Sequence, residues 1–139
     1  MALLTGKHLV VSGPVIIQDN KLLVNKDSKD DFYKLPGGSI ENNIESLEEA
    51  CKRETKEEIN AEIEIIKPLT PKILWENPTT KEKMTIILTS FLAKLKNPDE
   101  IKPQEETKEI TWLDLNKIKE WKNKVSPYTQ FLIEKGDIK

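Results

Sequence analysis

Three acidic residues in the stretch KRETKEEIN, residues 52–60, constrain this chain more than any other feature. The apolar spacing around them predicts a helix over about residues 44–59. At about 100° per residue, Glu57 and Glu58 fall within roughly 60° of Glu54 around the helix axis. The apolar residues on that same side are Leu47, Ala50 and Cys51, with Ile44 at the edge. The carboxylates therefore continue the apolar stripe, whereas a solvated helix would turn them away from it.

Carboxylates arranged in this way need positive charge nearby. Glutamates spaced at i, i+3 and i+4 repel one another by a few tenths of a kcal/mol per close pair, and partial burial raises that cost. A hard divalent cation would offset the repulsion, because such ions take oxygen ligands and share their sites with substrate phosphates. The cation predicted is Mg²⁺, with Mn²⁺ as the alternative. The competing interpretation is a charged surface helix in which Glu54 and Glu58 pair with neighbouring lysines.

Two further features favour a binding site. Arg53 is the only arginine among the 22 basic residues, which indicates a need for planar, two-pronged hydrogen bonding that lysine cannot supply. The sequence LPGG at residues 35–38 predicts a sharp turn. Its two glycines would let backbone amides and carbonyls approach a ligand closely.

Together, LPGG, Glu45 and the run Arg53-Glu54-x-x-Glu57-Glu58 resemble the signature of the Nudix hydrolases. In its usual form, that signature is Gly, five residues, Glu, seven residues, then Arg-Glu-apolar-x-Glu-Glu-x-Gly-apolar. The seven residues between Glu45 and Arg53 match it, as does Ala61 at the closing apolar position. The hairpin predicted before LPGG and the strands predicted after the helix extend the resemblance over most of the chain.

The chain departs from this signature at three places. The spacing from Gly38 to Glu45 is one residue longer than usual, so the geometry of that loop is open. Thr55 replaces an aliphatic residue, which costs some apolar contact. Asn60 replaces the closing glycine, and we expect this change to be tolerated because Asn also adopts the left-handed conformation at helix ends.

The resemblance implies an α/β protein with one Nudix-type domain over residues 1–139. Its architecture would be an α/β/α sandwich around a mixed β-sheet. The implied activity is Mg²⁺-dependent hydrolysis of a nucleoside diphosphate linked to another group. A nucleoside triphosphate, an ADP-ribose-like compound and a dinucleoside polyphosphate all remain open as substrates. The alternative is a Nudix-like module that binds a nucleotide without hydrolysing it.

The resemblance also assigns roles to individual residues. The metal ligands would be Glu54, Glu57, Glu58 and the carbonyl of Gly37. Gly38, Glu45 and Arg53 would be structural, with Arg53 and Glu45 paired to hold the loop against the helix.

The general base is not decided by the sequence. Glu54 and Glu58 are candidates within the helix. Many relatives also use a glutamate on a later loop, often six residues before a tryptophan, and counting back from Trp112 gives Glu106. Glu105 and Glu109 are further candidates on that loop.

Substrate-binding residues are equally open. The aromatic residues Tyr33, Trp75, Phe91 and Tyr128 could stack on a base, although aromatic residues at strand and helix positions are more often part of the core. Pro78 lies near the distance at which relatives acting on ADP-ribose place a proline.

Composition limits the partners. The formal net charge of −2 gives no basic footprint for a large nucleic acid. The N-terminal sequence has too short an apolar run for a membrane span and lacks the order of a secretory signal, so we expect a cytoplasmic protein. A small nucleotide is the expected partner. Many similar proteins are homodimers, and the sequence leaves that state open.

The remaining patterns predict the order of elements. We expect a hairpin over residues 7–24, a strand at 61–65, a second hairpin from 73–75 and 84–93, a strand at 110–112 and two closing helices. Ser126, Pro127 and Gly136 mark the start and end of the last helix. Cys51 is expected to be a buried, inert thiol and His8 a surface or structural residue.

Overall fold

The structure, a computed structural model, describes residues 6–40 and 44–139. Its strands are β1 (His8–Gln18), β2 (Lys21–Asp27), β3 (Gly38–Ser39), β4 (Ile63–Pro68), β5 (Lys72–Glu76), β6 (Lys83–Leu95) and β7 (Thr107–Asp114). Its α-helices are α1 (Leu47–Ile59), α2 (Ile118–Trp121) and α3 (Pro127–Lys135). Short 3₁₀ turns span Pro98–Glu100, Leu115–Lys117 and Lys122–Lys124.

The strands form one mixed sheet in which β1 and β6 are parallel neighbours and the other pairs are antiparallel. The sheet order is β4-β6-β1-β2-β7, and β5 pairs with the first half of β6. The short strand β3 pairs with β1 by placing Gly38 opposite Ser12. This pairing brings the end of the LPGG turn against a central strand.

Alternating side chains of β2 contribute to two apolar cores on opposite faces of the sheet. Leu22 packs in the core that contains Leu132 of α3. Leu23 packs in the other core, with Cys51 and Ile59 of α1. A mixed sheet between two helical layers is an α/β/α sandwich, which confirms the predicted architecture.

Helix α1 starts later than the apolar spacing predicted. Ser46 is the N-cap: its hydroxyl accepts from the Glu49 amide, and the Glu49 carboxylate accepts from the Ser46 amide, which is a capping box. The prediction of a start near residue 44 was therefore wrong, and Ile44, at 91% exposed, lies outside the apolar stripe. The helix ends as expected, with Asn60 in the left-handed conformation at φ 56°.

The other predicted elements are present with different bounds, and the strand expected at residues 61–65 is β4, Ile63–Pro68. The β5–β6 hairpin and the β1–β2 hairpin are confirmed, and the strand expected at residues 110–112 is the middle of β7. Helix α3 begins at Pro127 after the Ser126 cap and ends at Gly136 with φ 83°. The first of the two closing helices, α2, is only one short turn.

Cys51 and His8 lie where the sequence predicted. Cys51 is fully buried, and this burial raises the pKa of its thiol to about 12, so the group is unreactive. His8 is exposed at the start of β1. Among the described residues, no helix is both long and apolar enough to cross a membrane.

Candidate active site

Arg53 connects the loop before α1 to the carboxylates on the helix. Its Nε and Nη2 donate to the two oxygens of Glu45, at 2.6 and 2.9 Å. Its Nη1 donates to Glu54 at 2.8 Å and to Glu57 at 3.2 Å. Nη2 also donates to the carbonyl of Ser39 in β3 at 3.3 Å. The hydrogen bond to Glu45 is the main reason that the pKa of Arg53 is raised.

Arg53 therefore supplies positive charge to carboxylates that the sequence predicted to be balanced by a divalent cation or by neighbouring lysines. The predicted Arg53–Glu45 pair is present in bidentate form. The additional contacts to Glu54 and Glu57 were not expected, because position along a helix does not reveal where a long side chain turns. They offset part of the repulsion between these two carboxylates.

Gly38 makes room for the carboxylate of Glu54. A Cβ atom at Gly38 would lie 2.3 Å from Glu54 Oε2 and 2.5 Å from its Cδ. Glu54 is only 9% exposed, so a Cβ at this position would displace its carboxylate within a packed site. The second glycine of LPGG is thus required by a specific contact with the helix.

Gly37 lies against the central strand β1 in a conformation that favours glycine, with φ 135°. A Cβ at Gly37 would lie 2.5 Å from the carbonyl oxygen of Ser12, and a Cβ at Gly13 would lie 2.0 Å from that of Pro36. The amide of Gly37 donates to Glu58 Oε2 at 3.0 Å. Close packing of two glycines therefore sets the distance between the turn and the last helical turn of α1.

Glu58 is the electrostatically unusual carboxylate of the site. Burial raises its pKa to about 7, and the charges of Asp27 and Glu54 act in the same direction. The hydrogen bond from Gly37 and the charge of Lys34 lower the pKa but do not outweigh burial. Glu58 is therefore poised to exchange a proton near neutral pH.

Lys34 lies next to this carboxylate and is itself paired. Its Nζ is 2.6 Å from Asp27 Oδ2 and 4.0 Å from Asp30 Oδ2. Burial lowers the pKa of Lys34, but the hydrogen bond to Asp27 and the charges of Asp27, Glu58 and Asp30 raise it overall. The ammonium group therefore stays charged at the edge of the site.

The loop before β7 is fixed to the end of α1 by Gln104. The side chain of Gln104 donates to the carbonyls of Lys56 and Glu57 at 2.8 and 3.0 Å. The backbone amide of Gln104 donates to the Glu58 carbonyl at 2.8 Å. These bonds satisfy carbonyls that a helix end leaves free. They also fix the position of the loop that carries Glu106.

Glu106 is exposed, and among the described residues its side chain makes no hydrogen bond or ion pair. Its carbonyl accepts from the Ser28 amide at 3.3 Å. Glu109 instead accepts from the Tyr33 hydroxyl at 2.6 Å and from Thr111 at 2.7 Å, and these bonds lower the pKa of Glu109. Glu109 thus lies in β7 and not on the loop as predicted, and its carboxylate is occupied in structural hydrogen bonds.

The donor set suits a hard divalent cation in chemistry, because Glu54, Glu57 and Glu58 offer only carboxylate oxygens within one turn of helix. Glu58 is also partly desolvated, a cost that a cation would relieve. Within residues 6–40 and 44–139, however, no three acidic, histidine or cysteine side chains converge closely enough to hold an ion. Glu54 and Glu57 each accept a hydrogen bond from Arg53 instead.

An apolar cleft of about 240 Å³ opens beside Gly37. Its walls are strand residues on the α3 face together with the hairpin between β5 and β6, and they include Leu9, Val11, Leu74, Ile86, Leu88 and Pro78. Among the described residues that line it, Asp30 and Lys34 are the charged ones. The hydroxyl of Thr79 donates to Asp30 at 2.6 Å and joins two of the lining loops.

The four aromatic candidates take different positions. Tyr128 is buried, lines the cleft and shares a hydrogen bond with Ser90 at 2.7 Å. Phe91 is buried in the core between the sheet and α1, the α1-side core. The Tyr33 hydroxyl donates a hydrogen bond to Glu109. Trp75, by contrast, is 65% exposed. Core packing was therefore the wrong expectation for Trp75.

Sequence reasoning missed Gly13 and Asn25. Gly13 interrupts the apolar strand β1, and a glycine inside a strand pattern signals close approach of another backbone. Asn25 follows Leu23 by two residues and so shares the face of β2 that packs under α1. A fully buried polar residue at such a position is the signal that could have identified it.

Comparison with known proteins agrees with this geometry. A protein-family model described as NUDIX domain matches residues 6–131. A comparison with curated proteins gives no match.

Solved structures share the fold over nearly the whole chain. The MutT protein from Methanosarcina mazei Go1 has a TM-score of 0.74 at 21% identity, covering 97% of this chain and 96% of that one. An Ap4A hydrolase from C. elegans, in a binary complex, has a TM-score of 0.71 at 22% identity, covering 93% and 95%.

A bifunctional NMN adenylyltransferase/ADP ribose pyrophosphatase from Francisella tularensis, complexed with AMP and a Mn ion, has a TM-score of 0.66 at 19% identity. The similarity covers 92% of this chain and 42% of that one. At these identities the likeness concerns the fold. The family model, in contrast, spans most of the sequence, and the chain therefore belongs to the NUDIX family and is a hydrolase that acts on phosphorus anhydride bonds.

Proposed function

We propose that this hydrolase uses Mg²⁺, with Mn²⁺ as an alternative, to cleave a nucleoside diphosphate linked to another group. The observation that carries the proposal is the position of Gly37. Its amide binds Glu58, and the same residue lines the apolar cleft. A carboxyl group that exchanges a proton near neutral pH thus adjoins a cavity suited to the apolar faces of a nucleoside.

The nucleoside would occupy the cleft, and its phosphates would extend past Gly37 toward α1. Lys34 lies at the boundary between the cleft and Glu58, where its charge suits a phosphate oxygen. The chemistry of the cleft does not distinguish a nucleoside triphosphate, an ADP-ribose-like compound and a dinucleoside polyphosphate. The Ap4A hydrolase and the ADP ribose pyrophosphatase that share the fold support including the last two.

Glu54, Glu57, Glu58 and the carbonyl of Gly37 would hold the cation. When bound, Mg²⁺ supplies positive charge that neutralises the phosphate oxygens and activates water. The family generally uses divalent metal ions, and the Mn ion in the Francisella tularensis protein agrees with this choice. The preceding loop would be held against the helix by Arg53, Glu45 and Gly38.

In the proposed reaction, water attacks a phosphorus atom, the bond from that phosphorus to the anhydride oxygen breaks, and a carboxylate takes the proton of the water. Glu58 is the favoured base because the Gly37 amide holds it beside the cleft and because, in the metal-free protein, its carboxyl group exchanges a proton near neutral pH. Glu54 and the exposed Glu106 are the alternatives. Because phosphoryl transfer depends mainly on positioning and charge neutralisation, loss of any ligand should slow the reaction strongly.

A nucleotide panel tests the proposal. The purified protein is incubated with nucleoside triphosphates, ADP-ribose-type compounds and dinucleoside polyphosphates, in Mg²⁺, in Mn²⁺ and in EDTA, and the products are separated by chromatography. We expect cleavage of at least one compound at its anhydride, abolished by EDTA. Tight binding without any product would instead support the non-hydrolytic nucleotide-binding module, and turnover in EDTA would refute the metal requirement.

A cytoplasmic location and a single domain over residues 1–139 stay predictions from the sequence, which leaves open whether the protein is a homodimer. Exclusion of large nucleic acids as partners likewise rests on the net charge of −2.

A further inference from the structure

Asn25 is a fully buried polar residue in the middle of the sheet. Its backbone amide donates to the Lys34 carbonyl at 2.8 Å, and its backbone carbonyl accepts from the Lys34 amide at 2.9 Å. On the other edge of β2, Asn25 lies opposite Ile110 of β7. The backbone position of Asn25 is therefore fixed from both sides. Because Leu23 points into the α1-side core, Asn25 points to the same face, beneath the last turn of α1.

The side-chain amide of Asn25 lies between two acceptors. Its Nδ2 is 3.5 Å from Glu58 Oε2 and 3.5 Å from the hydroxyl of Thr107. These are long hydrogen bonds, of the kind that tighten in catalytic sites when a ligand binds. Its Oδ1 is buried and has no hydrogen-bond partner among the described residues.

An unpartnered buried oxygen costs about 1–3 kcal/mol of stability. An apolar residue would suit this position better, since the neighbouring Leu23 already packs in the same core. A buried oxygen without a protein partner calls for an explanation, and the contacts of Nδ2 supply one.

The hydrogen bonds to Glu58 are directed to one of its two oxygens. Gly37 and Asn25 both donate to Oε2, at 3.0 and 3.5 Å, and within the described part of the chain no donor reaches Oε1. We propose that Asn25 is a positioning residue, which together with the Gly37 amide holds Oε2 and so leaves Oε1 available to the cation. This inference rests on the proposed role of Glu58.

The variant Asn25→Leu tests the inference, because leucine is similar in size and lacks the donor. We expect kcat to fall at least about ten-fold with KM changed by less than about three-fold, since the group acts on the reacting site rather than on nucleoside binding. The melting temperature should stay the same or rise. The dissociation constant for Mn²⁺, measured by calorimetry without substrate, should increase several-fold.

Asn97→Leu is the matched control. Asn97 is also a buried asparagine, but both ends of its amide are satisfied: Oδ1 accepts from the Glu62 amide at 2.8 Å and Nδ2 donates to the Asn60 carbonyl at 2.9 Å. This change should lower the melting temperature and leave kcat unchanged. A purely structural Asn25 would behave like Asn97.

A second variant, Asn25→Thr, decides the matter if the leucine variant does not fold, because threonine suits a strand and its short hydroxyl cannot reach Glu58. Wild-type kcat or wild-type Mn²⁺ affinity in a folded variant overturns the inference. Glu58→Gln is measured in parallel. If Glu58→Gln is inactive while Asn25→Leu is fully active, only this inference fails, and if Glu58→Gln is fully active, the proposed role of Glu58 fails.

Discussion

Arg53 and Glu45 form a bidentate ion pair, with Nε–Oε2 and Nη2–Oε1 distances of 2.6 and 2.9 Å. The third guanidinium nitrogen is left for Glu54 and Glu57. One side chain thus binds Glu45, just before α1, and holds two of the proposed metal ligands at the same time.

Replacing Arg53 with lysine should destabilise the protein and slow the reaction. A lysine keeps the charge but can satisfy only part of this set of acceptors, so we expect a loss of about 1–3 kcal/mol in the free energy of unfolding. Urea denaturation in EDTA measures it. The neighbouring exposed Lys52, changed to alanine, is the control. Wild-type stability in Arg53→Lys would show that the bidentate geometry is unimportant.

Gly38→Ala should reduce activity by displacing Glu54. The new Cβ would lie 2.3 Å from Glu54 Oε2, and a displacement of about 1 Å in a catalytic site can cost up to about 100-fold in rate. Gly136→Ala is the control, because that glycine has φ 83° and open space around it. It should lower the melting temperature through backbone strain and leave kcat unchanged. The two variants are compared by kcat and by thermal unfolding, and equal kcat values would contradict the assignment.

Glu58→Gln should stabilise the metal-free protein in a pH-dependent way. The pKa of Glu58 is raised from 4.5 to about 7 in the folded state, so folding favours the protonated form. The stability that the protonated Glu58 carboxyl group contributes to the wild-type protein is therefore lost as pH rises from about 4.5 to about 7. At about 1.4 kcal/mol per unit, the loss reaches about 3 kcal/mol.

Glutamine cannot ionise, so the stability difference between Glu58→Gln and the wild type should grow over this pH window and then stay constant. Urea denaturation at a series of pH values in EDTA follows it. An advantage of glutamine that is largest at low pH would have the wrong sign for a raised pKa.

Filling the cleft should weaken substrate binding without changing the chemistry. Leu74 lines the cleft, whereas its neighbour Ile73 points to the opposite face of β5 and is 44% exposed. We expect Leu74→Trp to raise KM at least about ten-fold with kcat nearly unchanged. Ile73→Trp should resemble the wild type. If both variants have wild-type KM, the nucleoside binds elsewhere.

Local sequence signals predicted the elements that frame the site. The end of α1 was predictable because Asn60 tolerates the left-handed conformation, and α3 because Ser126 and Gly136 act on their own helix ends. The start of α1 was misplaced because apolar spacing was weighed without the capping box of Ser46 and Glu49. The signals that place these three helix ends all lie within a few residues of the end itself.

Contacts between distant segments could not be predicted in the same way. Asn25 and Glu58 are 33 residues apart, and their contact depends on β2 passing under α1. The close approach of Gly13 to Pro36 likewise depends on how the LPGG turn packs against β1. Patterns within one element indicate which face is buried, but not which residue of another element it meets.

The dependence of turnover on Mg²⁺ in the wild type and in Glu58→Gln tests the central claim most directly. The control is Glu48→Gln, an exposed glutamate in the first turn of the same helix. We predict that wild type and Glu48→Gln require Mg²⁺ and that Glu58→Gln lowers kcat at saturating Mg²⁺ by at least about 100-fold. Wild-type turnover in Glu58→Gln, or turnover that persists in EDTA, would contradict the claim that this helix carboxylate and a divalent ion carry the hydrolysis.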